Sequence, residues 1–198
     1  MSLPPASPRR ALHARSIHCE GFVRDDGLWD IEARILDTKT YVYTEPYRGR
    51  RDPGSEVHDM RVRLTIDDTL TVRDIAVAMP ATPYPTCPEA AARFRQLIGL
   101  SIGSGWRSEI NKRLGGTGGC THVRELLFPM ATVAFQTVRG WPEDNPPEGA
   151  PGVRNTVGSD GSRPMFIDGC YAWAADGEVV ARLYPAHSTR SAGVSDQS

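Results

Sequence analysis

Two stretches of this chain alternate apolar and polar residues, and this pattern restricts the fold more than any other feature of the sequence. In DGLWDIEARILDTK, Trp29, Ile31 and Ile35 are separated by charged residues. The segment HDMRVRLTID repeats the pattern with Met60 and Leu64. Because the side chains of a strand point alternately to its two faces, both segments predict half-buried β-strands.

A third strand is predicted over LTVRDIAVAMP, where Val72, Ile75 and Val77 carry the apolar pattern with a bulge between them. The dipeptide Asp67-Asp68 predicts a tight turn before this strand. Consecutive strands joined by short turns pair in antiparallel fashion. The sequence therefore predicts a three-stranded antiparallel meander.

After the third strand the apolar period changes from two residues to between three and four, which is typical of helices. Three helical faces are predicted: Ala90, Phe94, Leu97 and Ile98; then Trp106, Ile110 and Leu114; then Val123, Leu126, Leu127 and Met130. Pro129 predicts a kink or a restart in the third helix. Strands followed by about three helices that cover the sheet define an α+β domain.

Composition along the chain predicts its division into segments. Residues 1–16 are rich in Pro, Arg and Ser and predict a disordered tail, followed by the α+β core over 17–140. Residues 141–164 are dense in Pro and Gly and predict a loop. A hairpin packed on the core is expected over 165–187, and residues 188–198 predict a second disordered tail.

The charge and hydropathy patterns exclude several classes of partner. The formal net charge is −1, so no basic excess indicates nucleic acid or an anionic membrane surface. The longest nearly apolar run, from Leu126 to Phe135, is far shorter than a membrane span. Without an apparent signal peptide we expect a cytoplasmic protein, in which cysteines stay reduced. The four cysteines are Cys19, Cys87, Cys120 and Cys170.

The segment GGTGGCTHVRELLFPMA joins a glycine loop, a thiol, an imidazole and a helix start. Cys87 and Cys120 are both predicted at helix N-termini, where the helix dipole favours a thiolate. His58 and Asp59 open the second strand, and His122 follows Cys120 by two residues. Zn or Fe accepts such a mixed set of sulfur, nitrogen and oxygen ligands. The alternative is that each cysteine is a buried small hydrophobe and each histidine a surface residue.

Residues 55–138 resemble the NifU-like iron–sulfur cluster scaffold proteins. HDMRVRLTID is similar to a strand of these proteins, PTCPEAAARF to the segment around their second cysteine, and GGCTHVRELLFPMA to the start of their last helix. The resemblance implies a scaffold-like fold and an iron–sulfur cluster. This chain departs from the pattern, since His58-Asp59 replaces the first cysteine and His122 follows Cys120 rather than preceding it. A mononuclear Zn or Fe site fits these residues better.

A second resemblance covers nearly the whole core. The segments RDDGLWDIEARILDTKTY, HDMRVRLTID, TPYPTCPEAA, LIGLSIGSGW and GGCTHVRELL are similar, as a set, to a bacterial family that is defined only as a domain of unknown function. This resemblance groups the segments into one domain and implies no reaction.

Three carboxylates near the first strand are candidates for general acid and base catalysis. They are Asp26, Asp30 and Glu32. The alternative is that Asp26 is a turn residue, while Asp30 and Glu32 share a solvated, ion-paired face with Arg34.

Three functions follow as alternatives. The first is a metal-dependent enzyme in which one Zn or Fe ion keeps an open coordination position and acts on a small organic metabolite. The second is a non-catalytic scaffold or carrier for an iron–sulfur cluster or a metal. The third is a structural domain with inert thiols. We favour the first. The choice of a small substrate rests on Trp29 and Trp106, either of which can line a pocket, and the sequence leaves open whether the chain forms a homodimer.

Overall fold

The computed structural model of the protein describes residues 3–140, 161–164 and 166–190. The chain divides into two compact units, Met1–Arg154 and Asn155–Ser198. Each unit is described by itself below.

The first unit is built on a four-stranded antiparallel sheet. Its strands in spatial order are β1 (His13–Val23), β2 (Trp29–Lys39), β5 (Glu56–Ile66) and β6 (Val72–Ala81). A separate hairpin, β3 (Tyr43–Glu45) and β4 (Gly49–Arg51), interrupts the chain between β2 and β5. The antiparallel meander predicted from the alternating pattern is therefore present as β2, β5 and β6.

The predicted count of three strands is wrong, because β1 adds a fourth strand at the edge of the sheet. Its sequence, HARSIHCEGFV, has no apolar alternation, and most of its residues are exposed. β1 is held by pairing with β2 along its whole length, from His13 opposite Lys39 to Val23 opposite Trp29. Backbone hydrogen bonds between strands do not require apolar side chains, so a strand held by pairing alone shows no apolar periodicity in its sequence. The regular structure consequently begins at His13, inside the segment 1–16 that was expected to be disordered.

Helical elements cover one face of the sheet, which we call the inner face. They are a 3₁₀ helix (Cys87–Leu97), α1 (Trp106–Leu114), a short 3₁₀ turn (Gly116–Gly118) and α2 (Thr121–Arg139). The predicted apolar residues of α1 and α2 are buried in the core that the helices share with the inner face. α2 continues through Pro129. The indole N–H of Trp106 donates to the carbonyl of Leu127 at 3.0 Å and ties α1 to α2.

α2 approaches β1 closely at Gly21. A Cβ atom built on Gly21 would lie 1.9 Å from Oγ1 of Thr137, far inside any tolerable contact. Glycine is thus required here by the spacing between the helix and the strand rather than by a special backbone conformation.

The second unit contains short helical segments over its described residues, where the sequence analysis predicted a hairpin. They are Tyr171–Trp173, α3 (Glu178–Leu183) and Pro185–His187. The apolar residues Ile167, Ala175 and Val180 form a small core of their own. The Asp176-Gly177 pair that suggested a hairpin turn instead precedes α3, with Gly177 as its N-terminal flanking residue.

Some expectations concern residues outside the described ranges. The loop predicted over 141–164 falls there except for 161–164, and the C-terminal tail falls there from residue 191. The α+β class is confirmed, whereas the resemblance to the iron–sulfur scaffold fold is not. None of the described helices is both long enough and apolar enough to cross a membrane.

Candidate functional site

Three strands bring polar side chains into one row on the inner face. Strand register places Arg15 of β1 opposite Asp37 of β2, and Asp37 opposite His58 of β5. Asp37 follows Trp29, Ile31, Ala33 and Ile35 in the same alternating phase, so it continues the buried face of β2. Its carboxylate is therefore held among the apolar residues of the core, with 1% of the residue exposed.

α2 adds a fourth side chain to this row. His122 lies in the first turn of the helix, and its ring packs on that of His58 with centroids 3.8 Å apart and a tilt of 32°. Ligand atoms of Asp37, His58 and His122 all lie within 4.8 Å of one another. We call these three residues the two-histidine–carboxylate cluster.

Asp37 is the most heavily hydrogen-bonded member of the cluster. Nε and Nη2 of Arg15 donate to its two oxygens at 2.7 and 2.8 Å, and Nδ1 of His58 lies 2.9 Å from Oδ2. Nε2 of His13 is 3.4 Å from Oδ1. Burial acts to raise the pKa of Asp37, but the hydrogen bonds from Arg15 and His58 outweigh it, so the pKa lies below its ordinary value.

The pKa of each imidazole lies below its ordinary value, which favours the neutral form. Burial lowers the pKa of His58, and the hydrogen bond to Asp37 only partly opposes this effect. Burial also lowers the pKa of His122, and the neighbouring His58 and Arg15 act in the same direction. Because Asp37 accepts from Nδ1 of His58, the neutral ring keeps its lone pair on Nε2. Neutral imidazole nitrogens are the form that binds metal ions.

The donor set of the cluster suits a transition metal. Two imidazoles and one carboxylate form the ligand set of non-haem Fe(II) centres and of several catalytic Zn centres. Bonds of about 2.1 Å require tetrahedral donors roughly 3.4 Å apart. The ligand atoms lie within 4.8 Å of one another, so the side chains would have to move closer together to bind one ion. Asp37 can serve as a ligand, or it can orient His58 from behind while Nε2 binds the metal.

The cysteines predicted as ligands lie elsewhere. Across the described ranges, neither Cys87 nor Cys120 belongs to the group of converging ligand atoms. Cys120 is the residue before α2, and its thiol donates to Sδ of Met60 at 3.8 Å. Cys87 begins the 3₁₀ helix Cys87–Leu97, and its backbone N–H donates to the carbonyl of Tyr84. Of the five predicted metal ligands, the structure brings together His58 and His122.

Asp59, the remaining predicted ligand, is separated from His58 by the geometry of β5. Consecutive residues of a strand point to opposite faces. Asp59 is accordingly hydrogen-bonded to Arg34 at 2.8 and 3.0 Å and to Arg61 at 3.1 Å. The two arginines offset the effect of burial and hold the pKa of Asp59 below its ordinary range.

The three predicted acid–base carboxylates are not in the two-histidine–carboxylate cluster. Asp26 lies in the turn before β2 and is hydrogen-bonded to Arg24. Asp30 accepts from the hydroxyl of Thr65 at 2.6 Å, and Glu32 lies 3.7 Å from Arg63. Glu32 also lines an open groove of about 410 Å³ on the opposite, outer face of the sheet.

Sequence reasoning missed Asp37, Arg15 and His13, and two of these omissions have a clear cause. Arg15 and His13 belong to the edge strand that has no periodic signal. Asp37 could have been found from the sequence, because it is a charged residue at a position where the alternating pattern of β2 predicts a buried side chain. A buried carboxylate needs hydrogen-bonding or charged partners, and Arg15 and His58 are the partners of Asp37 in the structure.

The fold and the cluster define the class of the protein: an α+β domain in which an antiparallel meander and its last helix enclose two histidines and a carboxylate. A family described as "Protein of unknown function (DUF2889)" matches residues 13–136, more than half of the chain. The chain belongs to this family. Comparison with curated proteins and with solved structures finds no match.

Proposed function

We propose that the protein binds one Zn or Fe ion through the two-histidine–carboxylate cluster and is a metal-dependent enzyme acting on a small organic metabolite. The observation that carries the proposal is the convergence of Asp37, His58 and His122 from three separate elements. These residues are 21 and 64 positions apart along the chain, so no local turn accounts for their meeting. Two neutral imidazoles beside a buried carboxylate are what a divalent metal requires.

The two imidazoles, even with Asp37 as a third ligand, leave coordination positions open for water or substrate. A metal held this way polarises a substrate oxygen or lowers the pKa of bound water. Within the protein, Asp37 fixes the orientation of His58 through the 2.9 Å contact with Nδ1. With this hydrogen bond in place, Nε2 is the ligand atom of that ring, and Asp37 orients His58 instead of binding the metal itself.

Glu125 is a candidate for proton transfer beside the cluster. It follows His122 by three residues on α2, so the two side chains lie on the same side of the helix. Its carboxylate accepts from Nη1 of Arg15 at 3.2 Å, and 43% of the side chain is exposed. A half-exposed carboxylate next to the cluster is accessible to substrate, unlike Asp37. Glu125 takes the place of Asp30 and Glu32 in the proposal, since these two lie on the outer face.

The alternative of a mononuclear carrier uses the same ligands but needs no open position. An iron–sulfur cluster would instead need cysteine ligands, and in the residues that the structure describes no cysteine belongs to the group of converging atoms. This is why we favour a mononuclear metal site over an iron–sulfur cluster.

The proposal is tested by measuring Zn(II) binding, and anaerobically Fe(II) binding, by equilibrium dialysis with elemental analysis. We expect about one ion per chain in the wild type and none in the double variant His58→Gln, His122→Gln. The matched control is His18→Gln, because His18 is an exposed histidine on the outer face. Equal binding by the double variant and the control would refute the metal site. Stoichiometric metal whose X-ray absorption shows no water or exchangeable ligand would refute the enzyme and support the carrier.

A further inference from the structure

The open groove of about 410 Å³ lies on the outer face of the sheet, on the side opposite to the two-histidine–carboxylate cluster. We call it the outer-face groove, and its volume is that of a small-molecule site. Arg61 and Arg63 of β5 line it, since alternation along the strand turns both side chains to the exposed face. Strand register places Ala78 of β6 opposite Arg61 and Ala76 opposite Arg63. The two methyl groups cannot fill the space beside the long arginines, and this leaves the groove open.

Like charges stand directly opposite each other at two places in the outer-face groove. Glu20 of β1 pairs with Glu32 of β2, and Arg34 of β2 pairs with Arg61 of β5. Like charges at opposed positions destabilise a sheet, whereas opposite charges stabilise it. A sheet face that served stability alone would therefore avoid both pairs. Conflicts of this kind between local preference and the fold are expected at functional sites.

Ion pairs with neighbouring residues offset these charges only in part. Asp59 accepts hydrogen bonds from both Arg34 and Arg61, so two guanidinium groups share one carboxylate. Arg63 faces Glu32 across the strands, but the two charged groups are 3.7 Å apart, beyond hydrogen-bonding distance. The side chains of Arg61 and Arg63 are 54% and 51% exposed. Their guanidinium groups can therefore reach a ligand in the groove.

The two ends of the outer-face groove carry opposite charges. Glu20 and Glu32 lie on β1 and β2, whereas Arg61 and Arg63 lie on β5. These ends are one to two strand spacings apart, roughly 5–10 Å. A ligand with a single charge is attracted at one end and repelled at the other. Guanidinium forks bind a carboxylate in bidentate fashion, and carboxylates bind an ammonium group through charge-assisted hydrogen bonds.

We infer that the outer-face groove binds a small zwitterionic metabolite with a carboxylate at one end and an ammonium group at the other. The carboxylate lies between Arg61 and Arg63, and the ammonium group lies between Glu20 and Glu32. Such a ligand compensates both pairs of like charges at once. The inference does not depend on the proposed function, because the metal ligands lie on the inner face.

The test is an NMR titration of the amide signals of the full chain with 6-aminohexanoate, whose two charges stand at opposite ends of a flexible hydrocarbon chain. Hexanoate and hexylamine are the matched control ligands, since each keeps one of the charges. We expect the zwitterion to bind at least about fivefold more tightly than either control. Arg63→Gln and Glu32→Gln should each weaken its binding about fivefold, as expected for one half-exposed ion pair. Arg50→Gln and Glu109→Gln remove the same charges elsewhere on the surface and should leave the affinity unchanged.

The response to hexanoate distinguishes the two ends of the groove. Arg63→Gln should weaken hexanoate binding, while Glu32→Gln should strengthen it by removing a repelling charge. Equal affinities for the three ligands, or an affinity for 6-aminohexanoate that neither variant changes, would overturn the inference. Sedimentation of the same samples tests a second occupant. A dimer of the chain that dissociates in Arg63→Gln would show that the charged ends pair with those of another copy, and this result would also overturn the inference. None of these outcomes alters the test of the metal site.

Discussion

Asp37 and Asp67 are two buried carboxylates near opposite ends of the same sheet, and their surroundings differ in kind. Both have a pKa below the ordinary value, because hydrogen bonds outweigh burial in each case. Asp67 is satisfied locally: Oδ1 accepts from the backbone N–H groups of Thr69 and Thr71 and from the hydroxyl of Thr69, and Oδ2 binds Arg73. All of these partners lie within six residues of Asp67.

The partners of Asp37 come from distant parts of the chain. Arg15 and His58 are 22 and 21 residues away, and His122 approaches from α2. The contacts of Asp67 shape the turn between β5 and β6, where Leu70 has a φ of 63°. The contacts of Asp37 depend on the register of three strands and the position of a helix. A shifted pKa alone thus does not identify a functional site; convergence of titratable groups from separate elements is the more informative observation.

The largest difference between Asp37 and Asp67 is expected in the loss of stability when each is replaced by Asn. Asp37→Asn removes the counter-charge of Arg15 in a nearly buried pair and should lower the free energy of unfolding by about 2 kcal/mol, a value reduced from the fully buried case because Arg15 is one-third exposed. Asp67→Asn keeps an oxygen acceptor for the turn and should cost about 0.5–1 kcal/mol. Urea denaturation of both variants measures the difference. Equal losses would mean that the contacts of Asp37 with Arg15 and His58 stabilise the protein no more than the contacts of Asp67 within its turn.

The second-largest difference between Asp37 and Asp67 is expected in how their Asn variants bind Zn(II). Asp37→Asn should weaken Zn(II) binding about 10- to 100-fold, whether Asp37 is a ligand or orients His58. Asp67→Asn should leave the affinity unchanged, since Asp67 follows the far end of β5. Titration of the folded variants with Zn(II) tests this prediction, and an equal affinity of the two variants would contradict it.

Removal of Arg15 should strengthen Zn(II) binding, by a smaller factor than Asp37→Asn weakens it. The guanidinium donates to both oxygens of Asp37 and opposes an incoming cation. Arg15→Gln should therefore tighten Zn(II) binding about fivefold, on the order of 1 kcal/mol. Arg73→Gln, beside Asp67, is the matched control and should change nothing. Weaker binding in Arg15→Gln would show that the arginine positions Asp37 for the metal instead of competing with it.

The smallest difference is expected in the pH dependence of stability. His58 and His122 have a lower pKa folded than unfolded, so the unfolded state binds more protons below about pH 6.5 and stability falls as the pH drops through that window. Asp67 acts in the same direction but only below its ordinary pKa near 4. His122→Gln should flatten the stability profile between pH 7 and 5, whereas Asp67→Asn should not. Denaturant midpoints of the metal-free proteins across this range measure both profiles.

The sequence predicted those parts of the fold that depend on periodic burial. Alternation identified β2 and β5, and the helical period identified α1 and α2, because each element buries one continuous apolar face. β1 was missed because pairing with β2 holds it rather than apolar burial. Within the candidate site, the residue type of His58 and His122 was enough to predict them as ligands. Asp59 was predicted together with His58, although the side chains of adjacent strand residues point to opposite faces of the sheet. The meeting of Asp37 with His122 depends on how α2 lies over the sheet, which no local pattern encodes.

The close approach of α2 to Gly21 has a consequence for the evolution of the family. The missing side chain at position 21 makes room for Thr137, so the two positions share one small volume. A larger residue at either position must be balanced by a smaller one at the other. Positions 21 and 137 should therefore covary among members of the family, with a side chain at 21 accompanied by glycine at 137, because a Cβ at 21 would lie 2.8 Å from the Cβ of residue 137.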